Sequence, residues 1–292
     1  MSIDKLQKQI RKLKNPSMVA FSLDKSQIPP DILKNAASIP LAYSQYVKGL
    51  LSALKQIVPA VRFGFASFAL SGSEGLNVLS ELLNFAQQEG FYVLLDVPGM
   101  MSVQEIGIAT EMLFECDNGW AFDGLTISCY LGSDAVKPFS ERIIKDDKDL
   151  FVVIRTGNKS ASELQDLLTG SRLLYIAAAD IAKRLGEKYI GQCGYSKIAG
   201  IGPATSADSL RILRSKYPEL FLLVDGLDYS GANAKNCSFA FDKFGHGAIV
   251  CADSSIVTAW REKNYNCNDA ITCAINAAER MKKNLTRYIT VL

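Results

Sequence analysis

Short apolar, β-rich runs that alternate with longer helical periods predict an α/β protein, a single-domain (β/α)8 (TIM) barrel spanning 1–292. Three observations carry this. Eight candidate strands can be counted. They are near-continuous apolar runs, such as Phe-Tyr-Val-Leu-Leu at 91–95 and Phe-Val-Val-Ile at 151–154, the pattern of strands buried on both faces. No stretch rich in Gly, Ser or Pro and no charge block divides the chain into two domains. Periodicity alone leaves a doubly wound open sheet as the alternative.

At the start, Ile3, Leu6, Ile10 and Leu13 recur at helical spacing, so 1–15 is an amphipathic helix. Lys5, Lys8, Arg11, Lys12 and Lys14 then form its solvated face rather than a nucleic-acid-binding or lipid-binding arm. Strands follow at 18–23, 61–68, 91–96, 124–128, 151–156, 198–202, 221–224 and 247–251. Helices are expected at 41–58, 74–89, 103–115, 172–185 and 207–216, with a last one within 265–292, centred on 269–287.

Bulk composition excludes several function classes. Lys and Arg number 32 against 30 Asp and Glu, so no strong field draws the protein to nucleic acid or to a membrane. No run approaches the ~18 apolar residues of a membrane span, and the first residues lack the apolar core of a signal peptide. The 7 cysteines are scattered without a CxxC pair, which points to a reducing, cytoplasmic setting and away from disulfides or a zinc site. A single histidine, His246, sits between Gly245 and Gly247; it reads as a loop residue, so histidine-based nucleophilic catalysis and metal ligation are both poorly supplied. No metal and no cofactor is expected.

A barrel places its chemistry at the C-terminal ends of its strands. The residues there are Ser22 or Asp24, Phe68, Asp96, Ser128, Thr156, Gly202, Asp225 and Cys251. Asp-Gly-Leu-Asp-Tyr-Ser-Gly-Ala at 225–232 follows an apolar strand and could cradle a phosphate with backbone N–H groups. It lacks GxGxxG spacing, and a plain strand-to-loop turn also accounts for it.

The segments Leu-Thr-Ile-Ser-Cys-Tyr-Leu-Gly-Ser-Asp (125–134) and Arg-Thr-Gly-Asn-Lys-Ser (155–160) are the most distinctive. Together with Ile-Val-Pro-Ala-Val-Arg (57–62), Tyr-Val-Leu-Leu-Asp (92–96), Ile-Gly-Gln-Cys-Gly-Tyr-Ser (190–196), Phe-Leu-Leu-Val-Asp-Gly (221–226) and Gly-Ala-Ile-Val (247–250), the chain resembles the longer-chain bacterial orotidine 5'-phosphate decarboxylases. The resemblance implies a barrel, usually a homodimer, that converts orotidine monophosphate to UMP without metal or cofactor. It also implies an alternating Lys-Asp-Lys-Asp array, in which a fixed ammonium stabilises carbanion character and delivers the proton.

Against that pattern, Arg62 takes the first lysine position and Asp96 keeps the first Asp. Pro98 falls on the proton-donating lysine, and Met101 on the partner-contributed Asp. A gapped alignment puts Glu105 there instead, still without a lysine. The ligand-binding positions implied by the resemblance are Asp24 if the strand end shifts (or Ser22 in the register fixed by Ile28-Pro29), Thr126, Thr156, Asn158, Gly226, Ser230 and Ser254. At and beside these positions the resemblance implies replacements: Gly157 for a pyrimidine-binding Ser, Ser230 for a Gln, and Ser254 for the phosphate-gripping Arg, while Asp228 brings a carboxylate to the phosphate loop. These departures favour a non-catalytic relative with a binding, scaffolding or regulatory role, as a homodimer or paired with an active paralogue. The alternatives are an active decarboxylase, or an enzyme of altered chemistry acting on a nucleotide-like or non-phosphorylated small ligand. Asp96 either caps the turn before Pro98-Gly99 or serves the site. An Arg62–Asp96 ion pair is expected in the pocket floor, and Met100-Met101 is expected to cover the pocket or pack at a dimer seam.

Overall fold

The computed structural model describes residues 2–97, 102–114, 119–262 and 269–292. Its core is a closed barrel of eight parallel strands. In chain order these are β1 (Ser17–Phe21), β2 (Ala60–Gly64), β3 (Tyr92–Asp96), β4 (Gly124–Ser128), β5 (Asp149–Val153), β6 (Ile198–Pro203), β7 (Leu222–Asp225) and β8 (Ala248–Ala252). Each overlaps a strand expected from the apolar runs. Closure comes from β8 pairing with β1, Ser17 opposite Val250 and Met18 opposite Cys251, which rules out the open sheet.

The outer layer consists of α1 (Ser2–Leu13), α2 (Ile39–Leu54), α3 (Gly72–Gln88), α4 (Val103–Phe114), α5 (Lys137–Asp146), α6 (Leu174–Gly186), α7 (Ala207–Lys216) and α8 (Ala270–Thr286). Side-chain oxygens start several of them: Ser38, Ser206 and Asp269 accept N–H groups of the first turns of α2, α7 and α8. Helix α5 is not among the helices expected from the sequence. Pro138 lies in its first turn, where a missing N–H has no helical partner to lose. The first two residues of the helix expected at 172–185 are instead part of a two-stranded hairpin, Leu168–Thr169 against Arg172–Leu173. The second strand stops at Gly64, and Phe65–Ala69 is a short helix, so Phe68 is not a strand end; it is buried against Phe63 and Tyr43. Residues 265–268 of the expected C-terminal helix lie outside the described residues. Among the described residues no helix is long and apolar enough to cross a membrane. Cys273 is disulfide-bonded, contrary to the expectation of thiols throughout; Cys129, Cys193, Cys237 and Cys251 are free.

α1 lies against the N-terminal end of the barrel. Ile3, Leu6 and Ile10 are buried, while Lys8, Arg11 and Lys12 remain exposed, as the helical spacing predicts. Lys5 departs from that face: its Nζ reaches both Asp123 oxygens at 2.9 Å and the Phe91 carbonyl at 3.2 Å. Deeper in, Tyr92 Oη donates to Asp149 Oδ2 at 2.7 Å, while Asp149 Oδ1 is buried with no partner. Gly124 is register partner of Asp149, and a Cβ there would come within 2.5 Å of Tyr92 Oη, so the pair requires glycine.

Burial raises the Asp149 carboxyl to about 7. Its unfolded value is about 3.9. A carboxyl raised on folding contributes stability that is complete below the unfolded value and is lost as pH rises through the folded one. Asp149→Asn is therefore expected to gain unfolding free energy relative to the parent between about pH 5 and about pH 8. Urea denaturation at the two pH values checks this, and a pH-independent difference would contradict it.

Candidate functional site

At the C-terminal mouth, one guanidinium joins two carboxylates from different strands. Arg62, on β2, places Nη2 2.8 Å from Asp96 Oδ2 at the end of β3 and Nη1 3.1 Å from Asp225 Oδ1 at the end of β7. The expected Arg62–Asp96 pair is present, and Asp225 is a second partner that motif reading did not assign to it. Thr126 Oγ1 donates to Asp96 Oδ1, so both oxygens of Asp96 engage side chains. The register explains the cluster, since Asp96 lies level with Gly64 on one side and Thr126 on the other.

Burial alone would lower the Arg62 pKa, but Asp225 and Asp96 outweigh it, and the guanidinium is held more firmly protonated than a free arginine. Cys251 beside it moves the other way from a nucleophile: burial first, then Asp225, push its thiol well above the usual range. Arg62 and Cys251 line a cavity of about 160 Å³ together with Ser22, Asp96, Asp225 and Tyr229. Asp228 and Asp253 complete its acidic rim, and Arg62 is the one cation among the described lining residues. A larger cavity of about 680 Å³ adjoins it, sharing Leu227 and Asp228 and bounded by Lys235, Arg280 and Tyr288.

The other expected positions divide into those the fold gathers at this cavity and those it does not. Gly226 lines it, with φ +80, and a Cβ there would come within 2.6 Å of the Tyr229 ring. The same ring lies over Gly157, where a Cβ would be 3.0 Å away, so glycine there leaves room for an aromatic ring to pack. Tyr229 is the feature motif reading missed, and the two glycines that admit it were the available signal. Ser22, not Asp24, faces the cavity; Asp24 accepts from Ser26 N–H at 2.7 Å and caps a short turn. Thr156 and Asn158 belong to a self-tied loop beyond β5. There Thr156 N–H donates to Gln165 Oε1 at 2.8 Å and Arg155 grips Asp166 through two bonds of 2.7 and 2.8 Å. Ser230 and Ser254 are exposed, and neither lines the cavity. Glu105 is exposed in the first turn of α4. Pro98, Met100 and Met101 lie outside the described residues. His246 sits at the opposite end of β8, its N–H bonded to Asp242 and its Nε2 2.9 Å from the Leu292 carbonyl oxygen.

Fold and site together define a (β/α)8 barrel with a charged pocket at its catalytic face. No family model matches the chain. Curated relatives named orotidine 5'-phosphate decarboxylase do: one from Clostridium novyi is 27% identical over 286 residues, 98% of each chain. Another, from Rhodopirellula baltica, is 29% identical over 265 residues, 85% of this chain and 86% of its own. Solved orotidine monophosphate decarboxylases share the fold. The Leishmania donovani enzyme superposes with a TM-score of 0.73 at 22% identity, covering 98% of both chains. The Plasmodium berghei enzyme gives 0.75 at 14% identity, over 97% of this chain and 98% of its own. Over most of its length the chain is thus similar to proteins named orotidine 5'-phosphate decarboxylase, at 27–29% identity in these two comparisons.

Removing Arg62 would leave Asp96 and Asp225 facing each other without a cation. Arg62→Leu is expected to lower unfolding free energy by roughly 2–4 kcal/mol, less than for a fully buried ion because about a third of each carboxylate stays solvated. Adding Asp96→Asn and Asp225→Asn should recover most of the loss. Urea denaturation measures it, and an Arg62→Leu protein as stable as the parent would show that the bridge contributes nothing.

Proposed function

We propose that the mouth of this barrel is the substrate site of an orotidine 5'-phosphate decarboxylase-type protein, acting on orotidine monophosphate to give UMP in pyrimidine biosynthesis. The observation that carries this reading is whole-chain similarity to proteins of that name, 98% of each chain in the Clostridium novyi comparison. The charged cluster at the strand ends supports it by position. In this reading Asp96 and Arg62 meet the reacting part of the ligand, and Thr126 orients Asp96. The proton must come from a group other than a lysine at position 98, which is proline.

One observation favours a second reading, binding without that turnover. Arg62 is already engaged by two carboxylates, and its raised pKa makes it a poor proton donor to a carbanion. Nothing in the fold itself marks the chain as inactive, so the decarboxylase reading, which whole-chain similarity supports, stands as the conclusion.

A decarboxylation assay with orotidine monophosphate, run beside a Pro98→Lys variant and a calorimetric titration with UMP, separates the two. The decarboxylase reading expects turnover by the unmodified protein and inhibition by UMP. No turnover with UMP still bound supports the second reading, and turnover appearing only in Pro98→Lys would establish that the donor alone is missing. No turnover and no UMP binding would sink both.

We propose further that the protein is a cytoplasmic homodimer. Val103 and Ile108 on α4 and Tyr130 after β4 are exposed large apolar side chains, and α4 contacts the turn that follows Tyr130. Light scattering is expected to give twice the 31.9 kDa chain mass; the chain mass alone would overturn this.

A further inference from the structure

The loops after the seventh and eighth strands are where (β/α)8 barrels often gather backbone N–H groups around an anion. In this chain those donors are already occupied from within. Asp228, three residues beyond the end of β7, reaches across to the loop after β8. Its Oδ2 accepts the Asp253 N–H at 2.7 Å and lies 3.5 Å from the Ser255 N. Asp228 also borders the 160 Å³ cavity, so its carboxylate stands where the mouth meets these donors.

A phosphate arriving there meets two obstacles. It must displace a carboxylate that already accepts the N–H groups. Inside the 160 Å³ cavity it must also lie beside Asp225, Asp228 and Asp253, where Arg62 is the only cation among the described lining residues and is shared between Asp96 and Asp225. The crowding of like charge has a second sign: burial and then the hydrogen-bonded Asp228 raise the Asp253 carboxyl above its ordinary value.

We infer that Asp228 is a resident anion that sets ligand specificity, so that the mouth binds a pyrimidine nucleoside at least as tightly as its 5'-monophosphate. This rests on the reading that the mouth takes a nucleotide-class ligand, and names the ligand form it prefers. Asp228 is a specificity residue here, acting through the backbone donors it covers.

The full chain and its Asp228→Ala and Asp228→Asn variants would be titrated calorimetrically with uridine and with UMP, and melted with and without inorganic phosphate. The parent is expected to bind UMP no more tightly than uridine. Asp228→Ala should raise UMP affinity about tenfold or more with uridine nearly unchanged, a gain of the size one charge-assisted contact supplies. Asp228→Asn should fall between them. Phosphate should raise the Tm of Asp228→Ala but not that of the parent. A parent that prefers UMP about tenfold, or an unchanged UMP-to-uridine ratio in Asp228→Ala, would overturn the inference. If neither uridine nor UMP bound any of the proteins while phosphate still distinguished Asp228→Ala from the parent, the nucleotide-site reading would fall and the resident anion would stand. If phosphate failed to distinguish them as well, both would fall.

Discussion

The mouth of the barrel is organised by a single buried cation. A guanidinium 15% exposed is costly to bury unless carboxylates face it, and Arg62 has two, one from the neighbouring strand β3 and one from β7, reached past β1 and β8 round the barrel. Its planar fork can hold Asp96 and Asp225 at once, which an ammonium on a flexible stem would do less rigidly. Closure of the sheet is what brings them together: β2, β3 and β7 are separated in sequence, and the circular strand order aims their ends at one point. Asp96 in turn fixes Thr126, and Asp225 precedes the glycine turn that lets Tyr229 fold back over the pocket.

That dependence explains how much was legible in the sequence. Strands buried on both faces announce themselves as apolar runs, so all eight barrel strands could be placed without knowing their partners. Barrel closure could not be, because it depends on β1 and β8 meeting across more than two hundred residues. Arg62 and Asp96 could be paired because an isolated charge in an apolar run needs an opposite charge near it. Asp225 was visible as a strand end, but nothing local said which cation it would meet. α5 was hidden by Pro138, a breaker in a helix interior and harmless in a first turn. Ser22 and Asp24 show the finest limit: they differ by two positions, yet one faces the cavity and the other caps a turn. The Cys273 disulfide was not visible because scattered spacing carries no pairing information.

Two kinds of support meet at the function and pull on different parts of it. Similarity over nearly the whole chain accompanies the shared fold and is what the proposed reaction rests on. The pocket bears on that proposed reaction through its own residues: an arginine at 62, a proline at 98, and acidic side chains around the loop after β7. Electrostatic catalysis depends on charge held ready for the transition state, and here the one cation is tied to two partners before any ligand arrives. Asp228 extends the same logic to binding, since an anion supplied by the chain competes with one supplied by the ligand.

The account stands or falls on whether Arg62 is held in the clasp between Asp96 and Asp225 in solution. Nitrogen-15 NMR of the arginine side chains, with Arg62→Lys to assign the signal, reads this directly. A clasped guanidinium gives two separate Nη resonances because rotation about the Nε–Cζ bond is slowed, and Asp96→Asn or Asp225→Asn should let them average. A single averaged Nη signal from Arg62 in the unmodified protein would contradict the clasp and the pocket built around it.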